Sequence, residues 1–591
     1  MHIHPSQEKE VLDKRISLKF LDFLPVMKPI GPKNAERSVF SIKLAAFFLV
    51  ECFFVACLFS IYAGSRVPEV NESHYWTKAK HFWDPSFASG DLFLASADAH
   101  WFFFLTVGGL ANWLSLPAAA WCGRIIGWLA VACGWCLFVR RLRTFRLAGA
   151  LAAPLWVASV HWGHLSGEWI VGGCEAKVFA YAFALIGLSQ IVVNRWSRAW
   201  LWFGFASAFH VLTGAWITLA ALLSYGFLRV RLGRSKGNRQ ADGDGIACRI
   251  EIEPLQHQWL GLLLGGCFSL FGLLPAVLLN QGVESATAEK GAFIYVYQRL
   301  PHHLSPIRFG SERWVSFSIL VAMTLIFAFG YRQVRWMPQE SGIKRSEFSR
   351  CLVPLFVITG IVSAIAVVGV LIDIGLSSWA TNWSASLLRF YWFRWNDVIW
   401  PTLLTVLVIK IVELGSKNSS FFWRFFAAIA LGLPGPILLG IRWFEHDRAT
   451  LPPADQASLV LRTESTSTRK RIYKDWLDVC YWIRSNTPSD SMFLTPRFQQ
   501  TFKWYAHRSE VACWKDAPQN AKALIEWQQR MLEIFPRSKE GYGLPMSIEH
   551  LTEMRLKYNL NYVIIDHRFQ KQPPLLPIVH SNGTYDVFEF P

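Results

Sequence analysis

The chain has 591 residues, 52% of them hydrophobic and 15% aromatic, with 29 Trp and only 17% charged. An ordinary soluble domain carries roughly 25% charged residues, so one water-soluble core is excluded as a home for so many long apolar runs. The net charge of +17 does not point to nucleic acid. Its basic residues lie between the apolar runs, where Lys and Arg set orientation across a bilayer.

In chain order, segment 1–43 is mostly polar and carries Lys9, Lys14, Arg15, Lys19, Lys28, Lys33, Arg37 and Lys43, which places it in the cytoplasm. It is too long for the n-region of a cleaved leader. The run Leu44 to Ala63, interrupted only by Glu51, is likewise too long for an h-region and reads as a retained signal-anchor. Ala118–Val139 is the second span, because it ends at Arg140, Arg141, Arg143 and Arg146. If Trp101–Leu116 also crossed, that cluster would be outside. It is therefore expected to be a juxtamembrane helix, leaving 64–117 as one large external loop.

Ala199–Leu228 poses the same conflict, lying between Arg195 and the cluster Arg229, Arg231, Arg234, Lys236 and Arg239. Two short helices broken near His210–Gly214 resolve it, each too short to span alone and tolerated only around a cavity. Trp259 to Leu279, Leu352 to Ile372 and Phe421 to Ile441 are further spans. Arg332, Arg335, Lys344, Arg345 and Arg350 fall inside, as do Lys410, Lys417 and Arg424. External loops are expected near His164–Cys174, Gln281–Glu312 and Ile374–Asn396. The result is a transmembrane domain over 44–444 with about eleven helices, and an extracytoplasmic domain over 445–591. There is no internal repeat.

In the outer domain, helices are expected over Asp475 to Arg484, Ala521 to Phe535 and Ile548 to Tyr558. Strands are expected at Met492 to Leu494 and Tyr562 to Ile565, with an edge strand at Tyr585 to Phe590. This alternation reads as a soluble α/β domain. Arg497, Gln499, Gln500, Lys503 and Arg508, interleaved with Phe498, Phe502, Trp504 and Tyr505, either contact a glycan or lipid headgroup or pack on the membrane part. Of 11 cysteines, Cys133 and Cys136 lie in an apolar helix. Cys480 and Cys513 share the outer domain, and sequence leaves their pairing open.

No Walker A, H-E-x-x-H or G-x-S-x-G motif stands out. The first external loop instead concentrates acidic, His and aromatic residues: Asn71, Glu72, His74, Tyr75, Asp84, Asp91, Asp98 and His100. Carboxylates at a membrane–water boundary can act as general bases or hold a divalent cation, and sequence leaves the metal unknown. The plainer reading is an ordinary polar loop. Glu175 and Lys177 sit at the entry to a span, where an ionisable group costs roughly 2.5–3.5 kcal/mol without a partner. His210 lies at the break in the hairpin. His302, His303, Arg389, Arg394 and Asp397 add ionisable groups on the same side, where the arginines suit phosphate or simply anchor at the interface.

The layout resembles the GT-C superfamily of membrane glycosyltransferases, including protein mannosyltransferases, aminoarabinose transferases and oligosaccharyltransferase subunits. The shared features are a first span leading to a large outer loop, an acidic residue followed by Tyr (Glu72 to Tyr75), a juxtamembrane helix and a terminal outer domain. The chain also resembles an uncharacterised family of bacterial polytopic proteins, through Glu175-Ala-Lys177, Phe209-His210, Arg389 to Asp397 and the Asn-Thr-Pro, Trp-Tyr-Ala and Trp-Lys-Asp segments of the tail. Asn71 stands where an Asp-Glu pair is frequent, and the Trp-Trp-Asp-Tyr-Gly signature is absent. The resemblance implies transfer of a sugar from a polyprenyl-phosphate donor, with Glu72 as catalytic carboxylate and Arg389 or Arg394, with His302 or His303, on the donor phosphate. It further implies a multi-pass protein of the bacterial inner membrane. The alternative is a non-catalytic transport or binding protein acting through Arg497, Lys503 or Arg508.

Overall fold

The computed structural model describes residues 35–142, 144–237, 252–336, 352–415, 421–448, 451–461, 463–538, 541–542, 547–570 and 573–591. The basic residues from Lys9 to Lys33, with Arg143, Arg239, Lys344, Arg345, Arg350 and Lys417, lie outside the described residues. The chain is an α-helical membrane protein with a C-terminal α/β domain.

The helices of the membrane part are α1 (Ala35–Ala63), α2 (Glu72–Trp83), α3 (Leu116–Arg141), α4 (Ala148–Gly163), α5 (Ala176–Ile191), α6 (Trp196–Phe209), α7 (Val211–Gly237), α8 (Trp259–Leu278), α9 (Ser311–Trp336), α10 (Leu352–Leu376), α11 (Asn396–Gly415), α12 (Phe421–Gly432) and α13 (Pro434–Arg448). Seven stretches are long and apolar enough to cross a membrane: those in α1, α3, α7, α8, α9 and α10, and the continuous pair α12–α13. Helices α4, α5, α6 and α11 pack within the same bundle. At 16 residues, α5 is about 24 Å long, shorter than the hydrocarbon layer. It is buried along almost its whole length, so its ends meet protein and not lipid. Glu51, the one acid in the first span, pairs with Arg140 at 2.8 Å and accepts from the Gly149 N–H, which explains its tolerance at depth.

The 101–116 segment does not cross. It breaks into helical pieces Trp101–Leu105, Val107–Gly109 and Leu110–Trp113 before α3 begins. The hairpin breaks at His210, whose backbone is extended (φ −144°, ψ 100°). The two arms are nevertheless unequal. The expectation of two short halves fails for α7, which runs 27 residues, through Arg229 and Arg231, because long basic side chains extend an apolar helix into the headgroup layer. The short arm, α6, is held backbone to backbone against α8. A methyl group at Gly261, Gly265 or Gly272 would meet the carbonyl oxygen of Ser197, Trp200 or Ser207, so only glycine permits this approach.

In the C-terminal domain, α14 (Thr466–Asn486), α15 (Ala521–Ile534) and α16 (Ile548–Tyr558) accompany strands β1 (Met492–Leu494), β2 (Ser509–Glu510), β3 (Tyr562–Asp566), β4 (Ile578–Ser581) and β5 (Tyr585–Glu589). The five-stranded sheet has the order β2-β1-β3-β5-β4. β1 is parallel to β2 and β3, and the remaining pairs are antiparallel. β5 is therefore not the expected edge strand: β4, too exposed to show an apolar alternation, covers it. Cys480 and Cys513 are both buried and free.

Candidate functional site

A cavity of about 490 Å³ lies where the first large loop, the 164–175 loop, the break between α6 and α7, the C-terminal end of α8, the 280–303 and 389–394 segments and the C-terminal domain meet. The four loop regions come from distant parts of the sequence, and the bundle brings them to one end. His74, Tyr75, Asp98, His100, Glu175, Lys177, His210, His303, Arg389 and Arg394 all line it.

The first loop supplies an acid–imidazole pair. Asp98 Oδ1 accepts from the backbone N–H of His100 at 2.7 Å and lies 2.8 Å from His100 Nδ1. Lys78 Nζ stands 3.6 Å from Asp98 Oδ2. Burial pushes the Asp98 carboxyl up, but the His100 ring and the Lys78 ammonium outweigh it and hold the group below the ordinary carboxylate range. Asp98 is thus an anion that fixes the imidazole, leaving Nε2 without a hydrogen bond to any described residue. His100 faces His210, with ring centroids 5.1 Å apart.

The opposite charge balance belongs to the rest of the wall. Lys78, Lys177, Arg299, Arg389, Arg394 and Lys515 stand against only Asp98, Glu168 and Glu175. Arg394 pairs with Glu168 at 2.8 Å and lies 2.9 Å from His210 Nε2. Lys177 reaches Glu168 at 2.9 Å and Glu175 at 3.8 Å, and Asn71 donates to Glu175 at 2.7 Å. Among the described residues, Arg299, Arg389 and Lys515 form no ion pair. Lys515 donates to Asn71 Oδ1 at 2.6 Å, and Arg299 donates to the Lys515 carbonyl at 3.2 Å. Burial, with Arg299 next to it, lowers the Lys515 ammonium to about 8. Burial and the neighbouring His302 hold His303 at about 3, so it is neutral. An uncompensated cationic wall of this kind favours an anionic ligand.

Four residues expected at the site are elsewhere. Glu72 is fully buried and does not line the cavity. Its carboxylate takes Arg124 Nε and Nη2 at 2.7 and 2.6 Å and the N–H groups of Cys174 and Glu69 at 2.7 and 2.8 Å. With four donors, it has no lone pair left for a substrate. Asp397 caps the loop before Glu168, accepting from the N–H groups of Leu165, Ser166 and Glu168. Asp91 caps the short helix Leu92–Ala95 and pairs with Lys503 at 3.1 Å. His302 packs on His303 outside the lining. The 495–508 stretch also turns inward. Lys503 binds Asp91, Glu510 and Asp516, and Arg497, Gln499, Gln500 and Arg508 are each less than 10% exposed. Most of this stretch is an internal joint; of its named residues only Phe498, 57% exposed, reaches the surface.

Arg299, Glu168, Lys515, Gln519, Tyr295 and Tyr391 complete the wall without having been singled out as binding residues. Lys515 lies in the Trp-Lys-Asp segment, Tyr391 in the Arg389 to Asp397 stretch and Glu168 in the external loop before Glu175, and these are the signals the sequence offered. Tyr391 sits at φ 57°, a conformation that sequence does not announce. The cavity carboxylates make no seat for a divalent cation, because each is already engaged by Lys or Arg. Among the described residues, Glu510, Cys513 and Asp516 come close enough to share an ion, but the Lys503 ammonium already occupies that place.

A family described as a domain of unknown function, DUF6798, matches residues 474–534, within the C-terminal domain. No curated protein matches the chain. Among solved structures, the archaeal oligosaccharyltransferase AglB of Archaeoglobus fulgidus, in complex with an inhibitory peptide and a dolichol-phosphate, is similar at TM-score 0.43 and 12% identity over 88% of this chain and 69% of that one. The Archaeoglobus fulgidus oligosaccharyltransferase in complex with zinc and sulfate is similar at TM-score 0.41 and 13% identity, covering 88% and 68%. ArnT of Cupriavidus metallidurans in the apo state gives TM-score 0.32 and 12% identity, covering 93% and 98%.

Proposed function

We propose that the chain is a membrane glycosyltransferase moving a sugar from a polyprenyl-phosphate donor to an extracytoplasmic acceptor. In this reading it lies in the bacterial inner membrane, with its N-terminus in the cytoplasm and its C-terminal domain outside. One observation carries the proposal: a single cavity holds both an oriented Asp98–His100 pair and the unpaired cations Arg299, Arg389 and Lys515. The guanidinium forks suit a phosphate, and that phosphate becomes more negative as it leaves. Ala276, Val277 and Leu279 give the cavity an apolar side, and Val277 is 72% exposed on a lipid-facing helix. The isoprenoid chain would lie there.

His100 Nε2 takes the proton of the acceptor hydroxyl as that oxygen bonds to the anomeric carbon. The bond from that carbon to the donor phosphate oxygen breaks, and the polyprenyl phosphate departs as an anion held by the arginines. Asp98 orients the ring and stabilises the imidazolium. Radiolabelled transfer from polyprenyl-phosphate sugars by purified protein tests this. His100→Ala is expected to lower the rate about 10²- to 10⁴-fold, and Asp98→Asn to lower it comparably with the protein still folded. Full transfer in both variants would sink the assignment. An unbiased search for lipid-linked sugars accumulating in a deletion strain identifies the sugar.

A further inference from the structure

Gln519 belongs to the C-terminal domain, in the stretch leading to α15, yet it grips the first loop. Its Oε1 accepts from the Ala99 N–H at 3.1 Å, 420 positions earlier in the chain. Its Nε2 then faces His100 Nδ1 at 3.2 Å, the nitrogen that lies 2.8 Å from Asp98 Oδ1. A neutral imidazole nitrogen either donates or accepts. If Nδ1 holds the proton, it donates to Asp98 and Nε2 is a free base. If Nδ1 accepts from the Gln519 amide, the proton sits on Nε2 and the base is lost. Because the Ala99 N–H fixes the carbonyl end of the amide, Gln519 can present only N–H to the ring. Asp98 and Gln519 therefore contend for one atom.

We infer that Gln519 is a positioning residue, supplied by the C-terminal domain, that anchors the Asp98–Ala99–His100 turn and contests the proton on His100 Nδ1. The catalytic consequence rests on the transferase reading, whereas the contact itself does not. Gln519→Leu removes both the anchor and the amide donor. Gln519→Glu keeps an acceptor for Ala99 and puts a second acceptor, instead of a donor, beside Nδ1.

Diethylpyrocarbonate modification of His100 in the purified full-length protein, read by mass spectrometry at fixed pH, reports the free Nε2 lone pair. Read at a pH where the imidazole is neutral in every variant, it should rise at least about threefold in both, because Nδ1 then keeps its proton. Transfer should separate them. Gln519→Leu loses about tenfold in kcat, with KM for the polyprenyl-phosphate sugar within about twofold, while Gln519→Glu holds kcat closer to wild type. If Gln519→Leu does not fold, Gln519→Glu, nearly the same size, carries the modification test alone. Unchanged His100 modification in the folded variants overturns the inference. If the wild-type protein transfers no sugar, the transferase reading falls, and the modification rates still decide the contact.

Discussion

Glu72 and Asp98 are both carboxylates of the first large loop, and their surroundings assign them different work. Asp98 holds a ring at the cavity wall, whereas Glu72 is locked with Arg124 in a pair with no exposed surface. Removing one partner of such a pair strands a buried charge, typically at 3–5 kcal/mol. Glu72→Gln should therefore lower the melting temperature sharply, and transfer per folded molecule should stay near wild type. A stable but inactive Glu72→Gln protein would return catalysis to Glu72. Lys515 gives a second test. Its ammonium is depressed to about 8, so the proposed phosphate seat would keep this charge below pH 8 and lose it above. KM for the donor should rise roughly fivefold between pH 8 and 9, and Lys515→Arg, charged throughout, should flatten that rise.

At the scale of elements, the short helix Pro453–Ser458 joins the last membrane helices to the C-terminal domain. Its Ala454 N–H donates to the Pro68 carbonyl at 3.2 Å, just after the first span, and its Ala454 carbonyl accepts from Gln500 at 2.8 Å. Next to it, Asp455 is fully buried, bonded by the hydroxyls of Thr501 and Tyr505 at 2.6 and 2.7 Å. Burial outweighs those bonds and raises its carboxyl to about 7. In the unfolded chain the same group ionises near 3.9. The folded state thus keeps a proton that the unfolded state gives up. Stability from this group is complete below about pH 4 and is lost as pH rises to 7, by about 4 kcal/mol at the limit. Melting curves of the purified protein between pH 5 and 8 should fall more steeply for wild type than for Asp455→Asn. Parallel curves would remove Asp455 as the source.

For the whole molecule, what was legible in the sequence was what local pattern and charge control. Apolar runs marked the helices, the arginines after Val139 kept Trp101–Leu116 from crossing, and the basic clusters flanking Ala199–Leu228 located the break at His210. The short continuous apolar run at Tyr562 marked a buried strand. What was hidden depends on partners far along the chain. Glu72 and Asp98 look alike until Arg124, 52 positions after Glu72, claims one of them. Asp397 reads as a ligand until the backbone of the 165–168 loop takes up its oxygens. Ser509–Glu510 is too short to carry any period. Lys515 and Gln519 enter the cavity only because the C-terminal domain seats on the first loop.

In the transferase reading, the glycine contact between α6 and α8 bears on how the cavity would admit a bulky lipid. Backbones touching at three successive levels leave no side-chain cushion to compress. The pair is stiff as a rail, and at one end it carries His210 together with Ala276 and Val277. Widening is then left to the other walls, among them the segment from Tyr295 to His303 that carries Arg299. Arg299 would travel with that wall, whereas Arg394, 2.9 Å from His210 Nε2, stays with the rail.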